Sequence, residues 1–252
     1  MSVATDTGVT ARVHPSPNHG ERAPGSRIDM LILHYTGMQD ADSALRRLCD
    51  PRSEVSAHYF VYEDGSILQC VPEARRAWHA GKGSWQGRAD INSRSIGVEI
   101  VNPGHEWGYC DFPDIQIDAV ANLCADICRR HDIQPRMVLA HSDVAPGRKE
   151  DPGEKFPWAE LTHRQVGHYV EPAPITSGLF MQLGESGQPV EAVQSMLALY
   201  GYDVGITGSF DEATQAAVTA FQRHFRPAKV DGVVDQSTVE TLHKLLSALP
   251  AL

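Results

Sequence analysis

Apolar residues in this chain follow two patterns. In the first two thirds they come mostly as short runs separated by turn residues; in the last third they recur at helical spacing. Residues 28–35 (IDMLILHY) and 95–101 (SIGVEIV) have the length and branched-aliphatic content of strands buried on both faces. Residues 57–71 (AHYFVYEDGSILQCV) place two strand-like runs on either side of Glu-Asp-Gly-Ser, a hairpin signal. A short strand over 137–140 opens into the loop HSDVAPGRKEDPG. Residues 42–48 predict a short helix stopped near Pro51. Residues 114–131 predict a longer one, with Ile117, Val120, Ala121, Cys124, Ile127 and Cys128 at helical spacing. Strands mixed with helices in this way predict an α/β domain.

Four segments follow from the same pattern. Residues 1–27 are rich in Pro, Gly, Ser and Thr without periodicity and predict an extended surface arm. The α/β domain occupies 28–169. Residues 170–180, with two prolines and no periodicity, predict a linker. Residues 181–252 predict a small all-α domain with helices over 189–200, 211–225 and 236–246. Two similar stretches, YDVGITGSFDEAT and KVDGVVDQST, introduce its second and third helices. Ser209 with Glu212 fits a capping box, and Asp235 fits an N-cap. The expected core of this domain is Val193, Met196, Leu197, Val218, Phe221, Phe225, Val239, Leu242 and Leu245.

Charge and cysteine content act mainly by exclusion. With 22 Lys and Arg against 32 Asp and Glu, the net charge is −10. That balance disfavours a nucleic-acid partner, whose binders need a basic surface to release counterions, and a polybasic membrane attachment. No apolar run is long enough to span a membrane. The first residues show no basic segment followed by an apolar one, and the five cysteines are an odd, sparse set. Both features point to the cytoplasm, with the periplasm as the alternative. Cys124 and Cys128 lack a second Cys/His pair at metal-binding spacing and read as small buried hydrophobes.

Three polar positions stand apart from this scaffold. His34 ends the first buried strand, His141 ends the last, and Asp151 follows ten residues later in a loop stiffened by Gly and Pro. Two strand ends can bring imidazoles together at one sheet edge, and the loop can fold a carboxylate back beside them. Two imidazoles and one carboxylate leave a tetrahedral zinc ion one open position, as a hydrolase requires. Glu99 interrupts an otherwise apolar strand, where desolvation raises a carboxyl pKa and suits proton transfer. Taken singly, each residue has an ordinary alternative. A strand-end histidine is usually structural, a strand glutamate can point outward, and Lys149 can be a solvated loop charge. The Gly- and Trp-containing stretch 77–88 (AWHAGKGSWQGR) can be a ligand cleft or a loop over a buried Trp.

The segments LILHYT, SIGVEIVN and AHSDVAPGRKEDPG resemble those of the type 2 zinc amidases, the N-acetylmuramoyl-L-alanine amidases, across residues 14–165. Bacteriophage lysozyme-like amidases and peptidoglycan recognition proteins share that fold. The resemblance implies a mixed central sheet flanked by helices, with one Zn²⁺ held by His34, His141 and Asp151. It also implies a catalytic glutamate at Glu99 and a catalytic lysine at Lys149. The family's substrate-cleft segment falls on Trp78, His79, Ala80 and Gly81. Asn102 is expected to hydrogen-bond substrate, and His58 to be structural. Residues 182–247 resemble a three-helix peptidoglycan-binding domain. The implied activity is hydrolysis of the amide between N-acetylmuramic acid and L-alanine, in peptidoglycan or (anhydro)muropeptides, during cell-wall turnover or recycling. A non-catalytic peptidoglycan-binding protein is the alternative; the presence of all five site residues disfavours it.

Overall fold

Strands that must be apolar on both faces belong at the centre of a covered sheet, and the runs at 28–35 and 95–101 lie there. The computed structural model describes residues 4–178 and 180–249. Its strands in chain order are β1 (Arg12–Val13), β2 (His19–Gly20), β3 (Met30–Tyr35), β4 (Tyr59–Val61), β5 (Ile67–Gln69), β6 (Arg76–Ala77), β7 (Ser95–Ile100) and β8 (Val138–Ala140). Its α-helices are α1 (Ala41–Cys49), α2 (Ile91–Arg94), α3 (Gly104–Trp107), α4 (Asp114–His131), α5 (His141–Val144), α6 (Trp158–His163), α7 (Gln188–Tyr200), α8 (Glu212–Phe225) and α9 (Gln236–Ser247). A mixed six-stranded sheet runs in the order β1-β5-β4-β7-β3-β8, while β2 and β6 pair separately. The expected hairpin is β4–β5, antiparallel, and β3 pairs in parallel with both β7 and β8.

Alternation along the strands assigns the two faces. Tyr59 and Val61 join the core cluster that takes in Ile117, Val120, Ala121, Cys124 and Ile127 of α4. Phe60, between them, packs instead with Ala44 and Leu48 of α1. Register sets Phe60 beside Glu99, and Glu99 beside His34. These three positions therefore share the α1 face, near the carboxyl ends of parallel strands, where α/β sheets commonly bind ligands.

Three sequence-based expectations are corrected. The arm is structural: β1 extends the sheet by pairing with β5, and the Asn18 amide, 2% exposed, donates to Asp50 O and Val55 O. Its Arg22 reaches inward to the carbonyls of Glu73, Ser93 and Ser95. The linker is docked, because Ala173 is buried and exchanges hydrogen bonds with Thr241 and Ser237 of α9. Asp211, rather than Ser209, caps α8 by accepting from Thr214 N; Asp235 caps α9 as expected. In the helical domain, Met196 and Val239 are only partly buried, and the other expected core residues are buried.

The helical domain shares one hydrophobic core with the α/β domain. Trp85, fully buried, meets Tyr202 edge-on at 5.0 Å and Tyr200 at 6.1 Å. The backbone closes over it at Gly201, which accepts from Gln86 N. A Cβ at Gly201 would lie 2.5 Å from the Trp85 ring, so the contact requires glycine. No described helix is long and apolar enough to cross a membrane.

Candidate metal centre and catalytic cleft

His34 comes from β3. His141 follows directly on β8 and opens the single-turn helix α5. Asp151 returns on the following loop, where its carbonyl accepts from Ser142 N at 3.1 Å. The three side chains converge as the sequence predicted. His34 Nδ1 lies 2.8 Å from Asp151 Oδ2 and 2.9 Å from His141 Nδ1, and His141 Nδ1 lies 3.0 Å from the same carboxylate oxygen. All three residues are buried.

The surrounding hydrogen bonds decide which ring nitrogens carry protons. Ser95 Oγ donates to Ile91 O at 2.7 Å, so it accepts from His79 Nε2 at 3.1 Å. That leaves His79 Nδ1 bare to accept from His34 Nε2 at 3.0 Å. His141 Nε2 donates to Ala80 O at 2.9 Å. Both Nδ1 atoms at the centre are therefore lone pairs, facing each other and a carboxylate oxygen. Three acceptors within 3 Å repel one another unless a cation lies among them, so the donor set fits a metal ion. Partners that fix the tautomer of a ligating histidine are a regular part of metal sites.

The electrostatics agree with that assignment. Burial, and then neighbouring His141, push His34 down to about 4. Burial, and then His34, hold His79 well below the ordinary histidine range. Both rings are neutral near pH 7. Burial disfavours the ionised form of Asp151, and with both Nδ1 atoms bare a cation among them is what would keep the carboxylate charged.

Glu99 and Lys149 open onto the same cavity of about 370 Å³, which His34, His141 and Asp151 line. Glu99 is pushed well above the ordinary carboxyl range by burial first and by Asp151's charge second, with Lys149 opposing. Its Oε2 is shielded from solvent and has no hydrogen-bond partner among the described residues. Lys149 makes no ion pair among them.

The expected cleft residues divide. Trp78 and His79 line the cavity, with both His79 nitrogens engaged by His34 and Ser95. Ala80, Gly81 and Asn102 do not line it. Ala80 is fully buried: its N–H donates to Asn92 Oδ1, and its carbonyl accepts from His141 and Arg148. Gly81 adopts φ +61° against the Arg148 guanidinium. Asn102 is 2% exposed and ties Cys110 O to Gly104 N. His58 is buried, accepting from Gly97 N through Nδ1 and donating to Arg75 O through Nε2. Sequence reasoning did not single out Ser95, Asn92 or Arg148. Ser95 belongs to a run read only for its apolar neighbours, Asn92 falls between the segments that carried a signal, and a loop arginine carries no local signal of the carbonyl it will find.

Comparison with known proteins adds an independent line. Residues 24–154 match the N-acetylmuramoyl-L-alanine amidase family, Amidase_2. The chain is 36% identical over 232 residues to the N-acetylmuramoyl-L-alanine amidase AmiD of Escherichia coli K12, spanning 87% of this chain and 83% of AmiD. The chain belongs to this amidase family. As an amidase it is a hydrolase, and its complete donor set favours catalysis over recognition without cleavage. Escherichia coli AmiD has been solved with anhydro-N-acetylmuramic acid-L-Ala-D-gamma-Glu-L-Lys; it superposes with a TM-score of 0.75 at 34% identity, over 90% of this chain and 92% of that one. Pseudomonas aeruginosa AmpDh3, solved with anhydromuramic pentapeptide, superposes at 0.74 with 28% identity over the whole of both chains. Residues 186–242 match a peptidoglycan binding domain family.

Proposed function

We propose that this amidase hydrolyses the amide between N-acetylmuramic acid and L-alanine in peptidoglycan or anhydro-muropeptides, as part of cell-wall turnover or recycling. The observation that carries the reading is the convergence of His34 Nδ1, His141 Nδ1 and Asp151 Oδ2, with Glu99 opposite His34 in the same cavity. Those three atoms would hold one zinc ion. Bound there, zinc supplies Lewis acidity, bringing the pKa of water toward neutrality and polarising the scissile carbonyl.

The chain's own residues supply the rest. Glu99, kept proton-hungry by burial, takes a proton from water and returns it to the departing L-alanine amine. The Lys149 ammonium faces the cavity, where it balances negative charge developing on the carbonyl oxygen. Trp78 offers a flat apolar face to the sugar or the peptide. His79 acts behind His34, orienting it, and does not contact the peptide. The helical domain over 181–252 binds the wall polymer. An odd set of free thiols suits the cytoplasm. Fractionation of native cells tests that choice, since a mainly periplasmic pool would overturn it.

The test of activity is release of free stem peptide from a purified anhydro-muropeptide, with and without a chelator. Release that stops on chelation and returns with zinc is expected. Binding of the muropeptide with no release would make the chain a recognition protein.

A further inference from the structure

The two segments that carry His141 and Asp151 are both gripped from the helical domain. Asp143 is fully buried at the third position of α5, and among the described residues its side chain has three hydrogen-bond donors. Ala140 N donates to Oδ2 at 2.8 Å, closing the turn from β8 into α5. The other two come from beyond residue 181: His224 Nδ1 donates to Oδ2 at 2.6 Å, and the Tyr202 hydroxyl donates to Oδ1 at 2.6 Å. Arg223, next in the chain, reaches Glu150 at 3.3 Å and Glu154 at 3.4 Å, on either side of Asp151.

A helix of four residues cannot hold its own geometry, because a single turn fixes more dihedrals than its hydrogen bonds repay. Ala140 has no side-chain acceptor with which to cap α5, so the cap falls to Asp143. A buried carboxylate keeps one orientation only while its oxygens are satisfied. Two of its three donors belong to the helical domain. The direction in which His141 leaves the β8–α5 turn is thus fixed by residues that the wall-binding reading of that domain leaves without a role.

We infer that Tyr202 and His224 are positioning residues for the metal centre, acting through Asp143 to aim His141, so that the helical domain is part of the frame of the active site. The inference rests on the metal-centre reading above.

The test uses the full chain and separates the hydrogen bond from the packing. The His224 ring is stacked between Trp158 and Phe225, each with its centroid 3.7 Å away. His224→Phe keeps a ring in that stack but donates nothing. His224→Asn places an amide N–H where Nδ1 stood. Zinc affinity is read by competition with a chromophoric chelator, ligand geometry by the visible absorption of the Co²⁺-substituted protein, and catalysis by kcat and KM separately. His224→Phe should weaken zinc binding by about 10–100-fold, as loss of an orienting partner does. It should also alter the cobalt band and lower kcat with little change in KM. His224→Asn should restore affinity toward the wild type. Wild-type zinc affinity and cobalt spectrum in His224→Phe would overturn the proposal, as would a folded His224→Asn no tighter than His224→Phe. If His224→Phe does not fold, Tyr202→Phe removes a single hydroxyl from the other carboxylate oxygen. A weaker zinc complex is then the supporting result, and an unchanged one overturns the proposal. Failure of the wild-type chain to bind zinc at all would instead remove the metal-centre reading on which this rests.

Discussion

Gly97 sits on β7 opposite Ile32, and its missing side chain is what admits the His79 ring. A Cβ there would lie 2.4 Å from His79 Cγ and 2.6 Å from Nδ1. Its φ lies outside the left-handed region, so Gly97→Ala is a steric perturbation with no backbone strain. To restore ordinary contact the ring must retreat by about 1 Å, beyond the slack of its hydrogen bonds to His34 at 3.0 Å and Ser95 at 3.1 Å. Two buried hydrogen bonds at about 1 kcal/mol each set the scale. That matches the roughly 10–100-fold loss of metal affinity that follows removal of a partner orienting a ligand. Competitive zinc titration of Gly97→Ala, at a temperature where the apo-protein stays folded, measures it directly. The same change made in His79→Ala should have no further effect on affinity, because the ring it displaces is gone. Wild-type affinity in Gly97→Ala, or a second equal loss in the His79→Ala background, would refute the idea that His79 orients His34.

Other expected outcomes follow from the same geometry. Trp85→Ala should cost about 3–5 kcal/mol. At ~2.1 cal/mol/K per residue that lowers Tm by roughly 6–9 °C in a single calorimetric transition; two separated transitions in the wild type would show the domains to be independent. Glu99→Gln should lower kcat by about 10²–10⁴-fold while leaving zinc content unchanged; near-wild-type turnover would remove Glu99 from proton transfer. Burial, and then the Arg22 charge, hold His58 down at about 3, so the folded chain refuses a proton that the unfolded chain accepts below 6.5. Its contribution to stability is intact above pH 6.5 and is lost at ~1.4 kcal/mol per unit as pH falls from there toward 3. Melting curves of the wild type should drop more steeply from pH 7 to 5 than those of His58→Asn, whose amide oxygen can keep the Gly97 contact. Equal slopes would contradict the assignment.

Where function depended on strand ends and a stiff loop, it was legible in the sequence. His34 and His141 terminate apolar runs, so their meeting at one sheet edge followed from pairing β3 with β8. Glu99 was legible as the polar exception in an apolar strand, and parallel register with His34 placed it in the cavity. What could not be read was the destination of side chains that leave their own element. Asn102 belongs to a segment matching the family yet spends its amide on Cys110 and Gly104. The segment 170–180 has linker composition, but Ala173 finds two hydroxyls on α9. Residues 4–27 lack periodicity because strands β1 and β2 are only two residues long each and much of the remainder is anchored by isolated polar side chains such as Asn18 and Arg22. The link from His224 to Asp143 spans 81 residues and has no local trace at all.

Metal analysis of the purified 252-residue chain, coupled to stem-peptide release from the same sample, bears most directly on the central claim. One zinc ion per chain is expected, with zinc and hydrolysis lost together in His34→Ala, His141→Ala and Asp151→Ala. Hydrolysis that persists in metal-free protein, or zinc retained in full by those three variants, would contradict it.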